Sequence, residues 1–557
     1  MYVRETIEFT IKIGERIVAS IWAYVIDLAP ADILLSASFL KEYSQGYNIM
    51  MKEFMPYLFH ESDLVIACTT EGVAALEMIL NKYPQLVLGD DEVPDPNRYY
   101  KGQTFRLGLP DECRDKVYYR AQYHTDPHLI AEYRKILEPL IRAGVYVECI
   151  SPHNNPAFLV PKKLPGTYRL VVDNRLVNMD CVAPGGMRAS TLDVIRAIGG
   201  AKFFTTIDCK NAFYSLVLDE RDRLFTAIRL PGFPCLVLTR MPMGAKASTA
   251  ALYQAMVATL GEALYVYVLV WADDIIIFSK TWEEHIKHVD DVLHRLDKNG
   301  FCITRSKIEL GKTEVSWLGY TISAKGVRPD PEKVKRILAM HRPNSISSLR
   351  SALGMWTYFA SFIPAYSIIA APLFAQLKKD NPSLQWTQEC DQAWVQIKEK
   401  LASAPIMGFP DLNDTLYMHT DACKDGFAAI LTQNRNGRHV LIDAISRTTT
   451  PAEKNYASAK SECACVVWAN KKWRHYLSAV PLVIIVTDSY GLQFLQQKQE
   501  PTPLVQRWII EMEGINYVVH YHKGAENIAD FLSRQKEIVA CYFTRSKEQI
   551  FPLTTPA

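Results

Sequence analysis

No run of this chain approaches membrane-spanning length without a charge. The apolar stretches around residues 264–272 and 480–487 both end in acids and read as buried strands. There is no Cys-x-x-Cys pair among the twelve scattered cysteines; Cys463-Ala-Cys465 is the nearest approach, and it falls on an expected helix. A zinc module is therefore not expected, and reduced buried thiols in a cytosolic setting are. Nor is there a charge excess: the formal net charge is +2, so any polyanion must be met by basic residues gathered on one face. Internal repeats and low-complexity tracts are lacking, and Met1-Tyr-Val-Arg-Glu lacks signal-peptide architecture. What remains is a 557-residue chain, 49% hydrophobic and 22% charged, too long for one core and expected to form three or four domains.

The most informative stretch is Leu264-Tyr-Val-Tyr-Val-Leu-Val-Trp-Ala-Asp-Asp-Ile-Ile-Ile-Phe278. Its β-branched and aromatic residues read as two short buried strands meeting at a tight turn, with Asp273 and Asp274 at the tip. Like charges side by side in apolar surroundings are costly unless cations neutralise them. A hairpin that presents carboxylates to divalent metal suits nucleotidyl transfer; a solvated Asp-Asp turn is the plain alternative. Upstream, Phe203-Phe-Thr-Thr-Ile-Asp208 reads as a strand closed by Asp208, which could complete a site for two metals about 3.5–4 Å apart. Taken alone, Asp208 is a surface or capping acid.

Elsewhere, residues 1–65 alternate apolar and polar, as in Ile7-Glu-Phe-Thr-Ile-Lys-Ile13, and suggest a small β-rich unit. The Pro- and charge-rich stretch 84–112 reads as a linker. Leu129, Tyr133, Leu137, Leu140 and Ile141 give helical spacing over 126–143. Alternating strands and helices run to about 285, a helix-rich stretch spans 330–405, and a strand–helix–strand–helix unit occupies 412–535. In that last unit Thr415-Leu-Tyr-Met-His-Thr-Asp-Ala422 alternates as a strand with Asp421 at its far end. Ser461 to Leu477 is helical, with Glu462 in its first turn and Cys463, Val466, Val467, Trp473 and Leu477 on its apolar face. Leu482 to Thr487 is a continuous β-branched run ending in Asp488, as a strand covered on both faces requires. Asp530 lies on a short helix, Asn527–Arg534. Four acids converging at one sheet end suggest two divalent cations activating water against a phosphodiester; singly, each is a cap or strand end.

The order of these pieces resembles the reverse transcriptases of gypsy-type LTR retrotransposons, with retroviral enzymes as more distant relatives. The likeness runs through Ser151-Pro-His-Asn-Asn-Pro-Ala-Phe-Leu-Val-Pro-Lys-Lys163, Tyr168-Arg-Leu-Val-Val-Asp-Asn-Arg-Leu-Val-Asn178 and Ile207-Asp-Cys-Lys-Asn-Ala-Phe213. It continues through Met241-Pro-Met-Gly244, Trp271-Ala-Asp-Asp274 and Trp317-Leu-Gly-Tyr320. By that resemblance Asp208 and Asp273 bind both metal ions and Asp274 supports them. Lys162, Lys163 and Arg169 reach the triphosphate, Phe213 lies under the incoming sugar and favours deoxynucleotides, and Met243 and Gly244 complete the pocket. Trp317, Gly319 and Tyr320 hold the primer end, and Lys307 is a candidate proton donor to pyrophosphate. An exposed basic hairpin, a plain core phenylalanine and an aromatic strand pair are the structural alternatives. Trp271 stands where the family usually has Tyr, Ala272 where it has a small β-branched residue or Met, Met243 where it has Phe, and Asn174 departs from a usual Asp-Tyr-Arg.

Thr420-Asp-Ala422, Thr487-Asp-Ser489 and Asn527-Ile-Ala-Asp530 resemble the ribonuclease H domain that follows the polymerase in these elements, with Asp421, Glu462, Asp488 and Asp530 as its metal-binding acids. His522 stands in a loop where some retroviral relatives carry a mobile histidine, and Lys471, Lys472 and Arg474 lie on a helix face that could meet a hybrid backbone or only solvent. Ile33-Leu-Leu-Ser-Ala-Ser-Phe-Leu40 resembles the rear half of a retroviral-type aspartic protease, but the Asp-Thr/Ser-Gly triplet is absent, so no proteolysis is expected.

The expected fold is multidomain α+β and α/β: a right-hand polymerase of fingers, palm and thumb, then a ribonuclease H-like α/β domain, with a β-rich partial retropepsin-like segment at the N-terminus. The expected divisions are 1–65 for that segment, 66–112 linker, 113–290 fingers and palm, 291–410 thumb and connection, 411–535 ribonuclease H and 536–557 tail. The resemblance implies RNA- and DNA-directed DNA synthesis with cleavage of RNA in RNA–DNA hybrids. It implies two Mg2+ (or Mn2+) ions per site, with RNA template, DNA primer, hybrid and dNTPs as partners, a homodimer as one open assembly and no membrane. It further implies a cytoplasmic setting inside virus-like particles and an excerpt of a longer polyprotein. Two rivals stand beside it. One is a catalytically silent nucleic-acid-binding structural subunit of the same descent, disfavoured by three plus four intact acids. The other is an RNA-dependent RNA polymerase, disfavoured by Phe213 and the attached nuclease unit.

Overall fold

A computed structural model describes the strands Val3–Ile13 and Arg16–Ile26 and residues 70–521, apart from 91, 93, 163–165, 183–184, 186–190, 379–380, 382, 436 and 488–501. Two units divide the chain at Ala74 and Ala75. In the first, the alternating residues 3–26 form an antiparallel pair of strands, as their period of two requires. The protease-like segment Ile33–Leu40 lies outside the described residues.

In the second unit, the run around the paired acids folds as two antiparallel strands, Val268–Trp271 and Asp274–Ser279. They continue into a four-stranded sheet with Phe203–Asp208 and Glu309–Lys312. Alternation assigns its two faces. Ile207, Val268, Val270, Ile275 and Ile277 pack on the helices Ser248–Leu260 and Trp282–Lys298, while Phe204, Leu269, Ile276 and Phe278 join the core of the helix-rich region beyond. The spacing over 126–143 gives the helix Ile130–Arg142, which buries Tyr133 and Leu137 beneath the fingers hairpin Ala157–Pro161 with Tyr168–Val172.

The stretch 84–112 is not a linker. Val87–Leu88 pairs in parallel with Ile303–Thr304, and Tyr100–Phe105 pairs with Leu216–Leu218. Leu76, Leu80, Leu86, Phe105, Leu107 and Leu109 are core residues of the palm. Arg98 fastens the strap by an ion pair to Asp297 (2.8 Å) and a hydrogen bond to the Phe301 carbonyl (3.0 Å). Its prolines and charges suggested a solvated tether, yet its leucines, spaced irregularly, are what the palm buries.

Helices Pro331–Leu338, Ile346–Tyr358 and Gln388–Ala402 fill the thumb and connection. Beyond them a five-stranded mixed sheet runs in the order Arg438–Thr448, Gly426–Arg435, Leu416–Ala422, Val483–Thr487, Tyr517–Tyr521. Helix Ser458–Leu477 covers one face through Cys463, Val466, Val467, Trp473 and Leu477.

Candidate active sites

The carboxylates of the palm come together through strand register. Asp274 lies directly opposite Asp208 in the ladder, which sets such Cβ atoms about 5 Å apart. Trp271 pairs with Asp274, leaving Ala272 and Asp273 as a two-residue turn. A positive φ of 55° falls on Ala272 and not on Asp273, the pattern of a type II′ hairpin turn. An alanine there stores on the order of 1 kcal/mol of strain. The turn is pinned from below, since the Cys209 N–H donates to the Asp273 carbonyl (2.9 Å). Three acids thus occupy one sheet edge.

Their electrostatics follow. Burial, then the charges of Asp273 and Asp208, push the Asp274 carboxyl up to about 6, with Lys307 opposing the rise. The same burial and the neighbouring carboxylates push the Cys209 thiol well up. Lys307 Nζ stands 2.8 Å from Asp208 Oδ1, the one cation that meets the cluster among the described residues. No set of three ligand side chains among the described residues is closed into a metal cage. The donor set nonetheless fits a hard divalent cation: oxygen ligands, excess negative charge and a single displaceable ammonium.

Lys307 owes its place to the strap. Its short helical turn, Arg305–Lys307, follows Ile303–Thr304, the segment paired with Val87–Leu88. Ser306 Oγ donates to Asp90 Oδ1, and Lys210 Nζ donates to the Gly89 and Asp90 carbonyls. Asp90 and Ser306 carried no motif, and Lys210, though inside the Ile207–Phe213 motif, was given no role; only the buried leucines around Asp90 could have flagged the segment.

Lys162 and Arg169 are exposed on the fingers hairpin, and Lys163 lies outside the described residues. Phe213 is half-buried on the turn Ala212–Ser215 against the palm core. Met243 and Gly244 form an exposed loop tied by Asn178, whose Nδ2 donates to the Gly244 carbonyl (2.8 Å). Trp317 and Tyr320 require correction. They pair across a hairpin whose turn is Leu318-Gly319, φ 52° and 81°, but their side chains are buried in the thumb core and the Tyr320 hydroxyl donates to the Tyr358 carbonyl (2.9 Å). Of Trp317, Gly319 and Tyr320, only Gly319, in the turn, is half-exposed.

In the nuclease unit Asp421 is the penultimate residue of the strand Leu416–Ala422, paired with Ala428. The covering helix starts at Ser458, so buried Glu462 stands in its second turn rather than its first. Its Oε1 accepts the Ala422 N–H (3.1 Å), which binds helix to strand end beside Asp421. Parallel pairing sets His419 against Val486 and ends the neighbouring strand at Thr487. Asp488, His522 and Asp530 lie outside the described residues. Lys471 pairs with Glu511 (3.3 Å), while Arg474 donates to the Glu511 and Glu513 carbonyls (2.8 Å for the first), so both serve the fold.

Comparison with known proteins agrees with this geometry. Residues 160–322 match the family model for reverse transcriptase (RNA-dependent DNA polymerase), and residues 386–484 match that for the RNase H-like domain found in reverse transcriptase. The chain is 32% identical over 472 residues to the retrovirus-related Pol polyprotein from transposon 297 of Drosophila melanogaster, covering 84% of this chain and 43% of that protein. It is 31% identical over 416 residues to that from transposon gypsy of the same organism, covering 72% and 40%. It therefore spans about two fifths of the length of these relatives. In fold it is similar to the foamy viral protease-reverse transcriptase solved with double-stranded DNA (TM-score 0.72, 21% identity, 93% of this chain and 90% of that one) and with RNA/DNA hybrid (TM-score 0.68, 21% identity, 98% and 72%). The polymerase hairpin, the nuclease strand–helix pair and these matches fall in one order along one chain, which belongs with the reverse transcriptase–RNase H regions of gypsy-type LTR-retrotransposon Pol polyproteins.

Proposed function

We propose that this chain synthesises DNA on RNA and DNA templates and cleaves RNA within RNA–DNA hybrids. The observation that carries the first activity is Asp208 facing Asp274 across the ladder with Asp273 in the adjoining turn. Two Mg2+ ions (or Mn2+) held by these acids would supply the charge that activates the primer hydroxyl and neutralises the pyrophosphate. The residues themselves would align the cations, and Lys307, whose Nζ lies 2.8 Å from Asp208 Oδ1, would carry the proton for the leaving oxygen. Lys162 and Arg169 supply exposed cations for a triphosphate, and Phe213 a ring that a 2′-hydroxyl would strike. Asp421 and Glu462, joined through Ala422, support the second activity, with Asp488 and Asp530 proposed to complete its acid set. RNA template, DNA primer, hybrid and dNTPs are the proposed partners, inside cytoplasmic virus-like particles.

Primer extension and hybrid cleavage with Mg2+ or Mn2+ test the reading. Asp273→Asn is expected to abolish extension and spare cleavage, and Asp421→Asn to do the reverse. Absence of both activities in the wild-type chain would favour the silent-subunit reading instead.

A further inference from the structure

The nuclease sheet gives one face to its own helix and the other to the polymerase half. Ile430, Leu441 and Ala444 belong to the same apolar cluster as Val194, Ile195 and the thumb residues. Ser367 donates its N–H to Ser446 Oγ (2.9 Å) and its Oγ to the Ser446 carbonyl (2.8 Å), and the Gly408 N–H donates to the Leu441 carbonyl (2.7 Å). The approach is close: a Cβ added at Gly426 would lie 2.4 Å from Ile368 Cγ1.

Within this contact sits a buried charge pair. Arg196, the last residue of the helix Thr191–Arg196, places Nη2 2.9 Å from Asp443 Oδ1 on the nuclease strand Arg438–Thr448; the two side chains are 8% and 7% exposed. The other carboxylate oxygen accepts the Trp473 indole N–H (2.8 Å), and the Ala444 N–H donates to Oδ1 (2.9 Å). Arg196 is held in turn by Asp193 (3.1 Å) and lies 5.4 Å from the Tyr476 ring centroid. Among the described residues Arg196 is the only ion-pair partner of Asp443.

A buried pair of this kind adds little net stability over an apolar contact, but breaking it on one side is costly. Its value is directional. Apolar surfaces tolerate small slides, whereas a carboxylate oxygen shared between a guanidinium and the backbone amide of the next residue, Ala444, fits one placement. We propose that Arg196 is a positioning residue: through Asp443 it fixes the nuclease domain against the polymerase half, and so sets the distance along a hybrid between the primer end and the RNA cut. This rests on the two-activity reading above.

The test uses the full chain and an end-labelled RNA annealed to a DNA primer, with cuts mapped from the primer 3′ end. The variant is Arg196→Met combined with Asp443→Asn, which leaves no buried charge and keeps an acceptor for Trp473. Expected are wild-type extension and total cleavage, with the wild-type cluster of cuts spread over several neighbouring positions. Arg196→Met alone should spread them as far or further. Hydrogen exchange gives a second readout that needs no activity: amides of Arg438–Thr448 should exchange faster in the neutral pair than in wild type. Unchanged cut spacing, or unchanged exchange on that strand, overturns the proposal. A wild-type chain that neither extends nor cleaves defeats the two-activity reading, while exchange still decides whether the pair holds the domain.

Discussion

Asp208 and Asp274 occupy directly opposed positions on neighbouring strands, and the only cation reaching them among the described residues is Lys307, on Asp208. Asp274 is therefore under-neutralised, which is why burial and its neighbours push its carboxyl up to about 6. Replacing Asp274 by Asn removes that repulsion while keeping the side chain's shape. The variant should melt about 2 °C higher than wild type at pH 8 in EDTA and extend primers far more slowly in Mg2+. A melting temperature equal to or below that of wild type would show that the edge is not charge-strained.

In the nuclease unit, Glu462 has a structural duty besides its proposed chemical one, since Oε1 accepts the Ala422 N–H. Glu462→Gln retains a carbonyl for that amide, so cleavage should vanish with the melting temperature nearly unchanged. Glu462→Leu strands a half-buried amide and should cost a further 1–2 kcal/mol or about that much in urea denaturation. Equal stability of the two variants would remove the structural duty.

The acid-bearing end of the palm sheet was legible in the sequence because its signals are local: two acids between β-branched strands, and a strand ending in Asp208. The same holds for Asp421 and for the apolar face of the helix carrying Glu462. What escaped is non-local. The strap 84–112 looks polar along the chain, and only the palm reveals that Leu86, Phe105 and Leu107 are core. Arg196 and Asp443 stand 247 positions apart and belong to no motif, so their meeting is invisible before folding. Trp317 and Tyr320 were misjudged for the opposite reason: a family motif marks the position, while burial decides which atoms face out.

Trp317 makes that correction testable. Its side chain is buried at 4% exposure in the thumb core, so Trp317→Ala should act as a core deletion, costing about 3–5 kcal/mol. Primer affinity of the surviving folded fraction should be near wild type. At Gly319, φ of 81° on the half-exposed turn makes Gly319→Ala strained by about 1 kcal/mol, and here primer affinity should fall. If Trp317→Ala weakens primer binding without a stability loss, the indole contacts substrate after all.

The strand that carries Asp208 also sets an acid limit on the fold. His285 is fully buried; its Nε2 is 2.8 Å from Thr205 Oγ1 and its Nδ1 3.0 Å from Ser279 Oγ, and the Gly311 N–H donates to the same Thr205 hydroxyl (3.0 Å). Burial first, and the nearby His288 second, lower the imidazole from 6.5 to about 3. The unfolded chain therefore takes up this proton first as pH falls, so the stability His285 lends as a neutral ring is complete above about pH 6.5 and is lost progressively towards about pH 3. Urea midpoints measured from pH 8 to pH 5 should fall more steeply for wild type than for His285→Gln, which cannot titrate there, although the variant starts lower for want of one hydrogen bond. Parallel slopes would mean that His285 is protonated in the folded palm, and the network from Thr205 to Ser279 would then have to be redrawn with a charged ring at its centre.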